Sequence, residues 1–121
     1  MDDSTATVEQ LKSAVRQFVD ERDWRQFHSP KDLAIGLSIE AAEVLEHFRF
    51  RSDEQIDALL NTPRSRQAIG HELADVLYFV LLMCEQFDMD AAGLLEEKMA
   101  ISASRYPVEK ARGRNEKYTD L

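Results

Sequence analysis

The sequence predicts an all-α chain of four main helices in a bundle, and three observations carry that prediction. Only 4 glycines and 3 prolines punctuate 121 residues, too few for a turn-rich β fold. Apolar residues recur at intervals of three and four along most of the chain. Ser29-Pro30, Ser52-Asp53 and Thr62-Pro63 each place a capping side chain before a residue suited to a first helical turn. With 44% hydrophobic and 31% charged residues, the composition is that of one globular domain over residues 1–121.

Taken in order, the first helix is predicted over residues 5–23, where Leu11, Val15, Phe18 and Val19 share a face. Residues 24–28 break the pattern. Ser29 then caps a second helix that runs to about Phe48, with Pro30 at its first position and Asp32 in its first turn. A short helix follows from Ser52-Asp53 to Leu60. Thr62-Pro63 starts a long one that ends near Phe87. Over residues 73–84 that helix is apolar nearly all round, which a domain this small buries poorly, so this stretch is expected near an interface in a homo-oligomer, dimer or tetramer. Asp88 or Asp90 begins the last helix, to about Ser104, and Pro107 ends the regular pattern. Residues 105–121 form an extended tail with five basic and three acidic side chains, on a chain of net charge −8.

These totals exclude several classes. A strongly acidic chain is a poor general binder of nucleic acid or of an anionic membrane. The most apolar run, residues 73–84, is 12 residues long and contains Asp75, too short and too polar for a membrane span. The polar, acidic N-terminus is unlike a signal peptide, and the single Cys84 forms no internal disulfide, so a cytoplasmic setting is expected.

The informative residues are four acids. Glu40 and Glu43 lie in one helical pattern, Glu72 and Asp75 in another. Each pair is spaced i, i+3 and stands on one side of its helix. Both pairs interrupt otherwise apolar sequence. Carboxylates gathered there repel one another and resist desolvation unless a cation holds them. Oxygen-only ligands suit Mg²⁺ or Mn²⁺, and Mg²⁺ sites of this kind commonly also hold phosphate. A di-iron bundle would need Glu-x-x-His pairs, and no glutamate stands three residues before His28, His47 or His71. No His/Cys cluster suits zinc, and no P-loop is present. The remaining alternative is a non-catalytic helical module for nucleotide binding or oligomerisation, its acids paired with basic residues across subunits.

Glu40-Ala-Ala-Glu43, 28 intervening residues and Glu72-Leu-Ala-Asp75 resemble the E-x-x-E…E-x-x-D signature of MazG-like nucleotide pyrophosphohydrolases. The segment FVDERDWRQFH, Lys98-Met99, Arg105-Tyr106-Pro107 and Lys117-Tyr118-Thr119 look like the small all-α dCTP pyrophosphatase branch. The likeness spans about residues 8–121. It implies an all-α oligomer that hydrolyses (deoxy)nucleoside triphosphates, dCTP or modified pyrimidine dNTPs, to monophosphate and pyrophosphate with Mg²⁺. It carries Glu40, Glu43, Glu72 and Asp75 over as metal-holding and catalytic residues; Glu46, three residues after Glu43, extends the same acidic stripe by its spacing alone. It also carries over Trp24, Arg25, Gln26, Phe27, His28, Phe50 and Phe79 as substrate-binding positions, and Lys98 and Arg105 as phosphate contacts. Phe50 stands where the vertebrate enzymes have Trp, Phe79 where they have Tyr, and Ser102 where Asn is common. These departures bear on base and sugar selectivity more than on the chemistry.

Overall fold

The computed structural model describes residues Met1–Leu121 and contains no β-strand. Its six helices are α1 (Val8–Glu21), α2 (Pro30–Glu46), α3 (Asp53–Leu60), α4 (Pro63–Gln86), α5 (Ala91–Arg105) and α6 (Val108–Ala111). Single 3-10 turns lie at Arg25–Phe27 and Tyr118–Asp120. The four main helices are α1, α2, α4 and α5, of 14, 17, 24 and 15 residues.

Local chemistry explains the boundaries. Ser29 accepts from the Asp32 N–H at 3.1 Å, with Pro30 in the first turn. Ser52 and Gln55 form a reciprocal capping box, as do Thr7 and Gln10. Thr62 behaves differently from a cap: its hydroxyl donates back to the Ala58 carbonyl at 2.8 Å, and α4 starts on Pro63 alone. Asp90, not Asp88, caps α5 by accepting from the Gly93 N–H at 2.8 Å. Asp88 instead takes a left-handed φ of 55° just after α4, the αL position at which helices commonly end. In the tail, Pro107 opens a turn as well as ending α5, because its carbonyl accepts from the Lys110 and Ala111 N–H groups.

The chain divides into two compact units, Met1–Asp88 and Met89–Leu121. In the first, α4 packs against α2, α1 and α3. Its centre is Val19, Leu33 and Leu82, all but fully buried, with Val15, Tyr78, Phe79, Met83 and Phe87 packed around them. A chain of edge-on aromatic contacts runs from Trp24 to Phe18, Tyr78 and Phe79. In the second, Tyr118 folds onto the end of α5. Its ring meets Tyr106 edge-on at 5.9 Å, its N–H donates to the Tyr106 hydroxyl, and the Arg105 guanidinium lies 5.0 Å from its centroid.

By length and composition α4 is long enough to cross a bilayer; within the chain it packs against α2, α1 and α3 and carries Glu72 and Asp75 near its middle. Much of its apolar surface stays uncovered. Leu73, Leu77 and Val80 on α4 are exposed at i, i+4, i+7, as are Ile35 and Ile39 on α2.

Candidate metal and nucleotide site

The two acid pairs face one another because α2 and α4 pack side by side and each pair occupies one face of its helix. Glu40, Glu43 and Glu72 each bring a carboxylate oxygen within 4.8 Å of the other two. Asp75 lies outside that trio, yet its charge still acts on Glu40. The Glu40 carboxyl is held above the usual carboxylate range, first by burial, then by its hydrogen bond and charge repulsion with Glu43, then by Asp75 and Glu72. Glu40 Oε2 and Glu72 Oε2 are both buried with no hydrogen-bond partner. Orphaned anionic oxygens on an all-carboxylate donor set fit a hard divalent cation.

Near the trio, His47 and Gly36 were not among the site residues expected from the sequence, whereas Phe79 was. His47 Nε2 lies 3.7 Å from Glu72 Oε1; its spacing of four from Glu43 is the signal that would have placed it on the acidic face. The Phe79 ring packs onto Gly36, one turn before Glu40; a glycine inside a helical run marks such a close approach. Glu46 turns to Arg49 instead, at 3.2 Å.

The remaining positions fall in several places. Trp24 stands before the 3-10 turn, 41% exposed, its ring against Phe18. Arg25 is tied down, Nε to Asp20 at 3.2 Å and Nη2 to Glu85 at 3.3 Å. Gln26 donates to Asp23 within the same turn. Phe27 is exposed. The His28 carbonyl accepts from Gln86 Nε2 at 2.6 Å, while its Nδ1 is buried without a partner. Phe50 is 91% exposed in a left-handed conformation, φ 62°, with the Arg49 guanidinium 4.5 Å from its ring centroid. Lys98 and Arg105 lie on α5, in the second unit.

On two packed helices of an all-α protein, Glu40, Glu43 and Glu72 form an acidic cluster able to hold a metal ion. The sequence profile of the MazG-like family matches residues 35–121. The chain is 36% identical over 118 residues to dCTP pyrophosphatase 1 of Bos taurus, covering 98% of this chain and 70% of that one. It is 35% identical over 115 residues to dCTP pyrophosphatase 1 of Homo sapiens, covering 95% and 68%. A crystal structure of a pyrophosphatase from Archaeoglobus fulgidus superposes with a TM-score of 0.77 at 32% identity, over 88% of this chain and 98% of that one. The chain belongs to the MazG-like family.

Proposed function

We propose that this chain is a nucleoside triphosphate pyrophosphohydrolase that cleaves dCTP or a modified pyrimidine deoxynucleotide to monophosphate and pyrophosphate. The observation that carries the reading is the carboxylate trio with two orphaned buried oxygens. Its relatives named dCTP pyrophosphatase 1 support the substrate class. The family match runs from within α2 to residue 121.

Glu40, Glu43 and Glu72 are the residues that would hold Mg²⁺, or Mn²⁺ in its place, with Asp75 contributing charge beside them. When bound, the cation supplies charge neutralisation for the phosphates and lowers the pKa of water. The chain's own work is to orient. Carboxylates fixed on two rigid helices would keep the cation in one place, and the hydrolysis would consume water at the α-phosphorus with pyrophosphate as the leaving group. Trp24, Phe27 and Phe50 offer exposed ring faces for the base. The uncovered Leu73, Leu77, Ile35 and Ile39 support a homo-oligomer.

Pyrophosphate release from a panel of NTPs and dNTPs, with Mg²⁺ and with EDTA, tests this. The expected result is Mg²⁺-dependent monophosphate and pyrophosphate, with a pyrimidine dNTP ranked first. Cation-independent binding without turnover would favour the non-catalytic helical module.

A further inference from the structure

We propose that His47 is a positioning residue that orients Glu72 for the cation, an inference that rests on the carboxylate reading above. His47 is four residues from Glu43 and seven from Glu40, so its side chain projects from the acidic face of α2 one turn beyond them. Its backbone N–H is already used in ending α2, on the Leu45 and Val44 carbonyls. The imidazole is left to act separately. Nε2 faces Glu72 Oε1 at 3.7 Å, with both side chains about three-quarters buried, at 27% and 25% exposure. The two oxygens of Glu72 are therefore in different situations. Oε1 looks to the imidazole, and Oε2 is buried with no partner. A carboxylate steadied on one oxygen presents the other in a fixed direction, which is how outer partners tune a metal ligand.

His47 lines a cleft of about 480 Å³ whose walls include Ala58, Leu59 and Ala68. The hydroxyls there, Thr62 and Ser65, donate to backbone carbonyls of α3 and the following turn. Arg64, also on the cleft, can only donate. With its proton on Nε2, the imidazole closes about 0.7 Å to make a normal hydrogen bond to Glu72, an adjustment within side-chain freedom. Leucine has neither a donor nor the reach. Glutamine keeps an N–H donor at similar length.

Mn²⁺ titration of the full chain without nucleotide, read by the EPR signal of free Mn²⁺, tests the assignment. Loss of an outer partner should weaken Mn²⁺ binding about tenfold to hundredfold in His47→Leu, whereas His47→Gln should stay within about threefold of wild type. Circular dichroism and thermal melting establish that each variant is folded. Wild-type affinity in His47→Leu would overturn the proposal. So would equal weakening in both variants, since that marks lost packing and not a lost donor. If His47→Leu does not fold, His47→Gln decides alone, and a tenfold loss there counts against positioning. Glu40→Gln in the same titration separates the two readings. If Glu40→Gln weakens binding and His47→Leu does not, only the His47 role falls; if neither does, the carboxylate site falls with it.

Discussion

The Phe79 ring fills the space over Gly36 so closely that a β-carbon there would stand 2.5 Å from Cε1 and 2.6 Å from Cζ. Gly36 lies one turn before Glu40 on α2, and Phe79 one turn after Asp75 on α4. This close approach between the two helices therefore adjoins the acid pairs. Gly36→Ala gains up to about 1 kcal/mol in helix propensity, but overpacking costs about 1–3 kcal/mol, so the clash wins. The variant should be less stable by urea denaturation. Gly36→Ala with Phe79→Leu should recover most of the loss, because the shorter side chain vacates the ring edge. An additive double mutant would show that the two residues are not coupled.

Glu40 gives a pH dependence of defined sign. Its carboxyl is raised in the folded chain by burial and then by Glu43. At pH values between its ordinary and raised pKa the folded state binds more protons than the unfolded one. Stability from this group is thus intact below the ordinary glutamate range and falls as pH rises through the raised value. In EDTA, Glu40→Gln should melt at a higher temperature than wild type at neutral pH, and the gain should fade toward about pH 4. Saturating Mg²⁺ should reverse the order, since only wild type then gains binding energy. A difference that does not vary with pH would show that the Glu40 charge is not its source.

How far the sequence could be read depends on where the signals lie. The helix starts at Ser29 and Ser52 were legible because a cap is a local, three-residue interaction. The carboxylate pairs were legible because i, i+3 spacing on one helix fixes a shared face. Which members meet across helices was not, since that depends on α2–α4 packing; Asp75 stands apart from the trio for that reason. The turn at α6 was hidden because Pro107 reads as a stop, while its carbonyl begins a new turn. Glu85 gave no motif, because its partner Arg25 lies 60 positions away, and the spacing of His47 from Glu43 could show its face but not its partner Glu72, 25 positions away.

Arg25 should matter more for stability than for substrate. Its guanidinium is shared between Asp20 and Glu85, and Glu85, only 12% exposed, also meets Arg16 at 3.7 Å. The arginines are more than two-fifths exposed, which screens each pair. Glu85 is the hub, so Glu85→Ala should cost about 1–2 kcal/mol and Arg25→Ala less, about 0.5–1 kcal/mol. Steady-state kinetics on folded Arg25→Ala should show KM near wild type. A large rise in KM with an unchanged melting temperature would instead return Arg25 to the nucleotide site.

Phe50 combines a left-handed backbone, φ 62°, with a ring that is 91% exposed. A non-glycine residue there stores about 1 kcal/mol, and burial within the chain offsets almost none of it. The exposed Arg49 guanidinium over the ring contributes about 0.5–1 kcal/mol in return. Asparagine tolerates this conformation better than phenylalanine. Phe50→Asn should therefore leave the stability of the chain unchanged or raise it by up to about 1 kcal/mol. Nucleotide affinity should fall by about 1–3 kcal/mol, the worth of a base stacked on an aromatic ring. Calorimetric titration with a non-hydrolysable dCTP analogue, beside a urea melt, reads both effects. Lower stability with unchanged affinity would assign the ring to contacts between copies of the chain, because removing a stacking platform weakens the ligand and spares the fold.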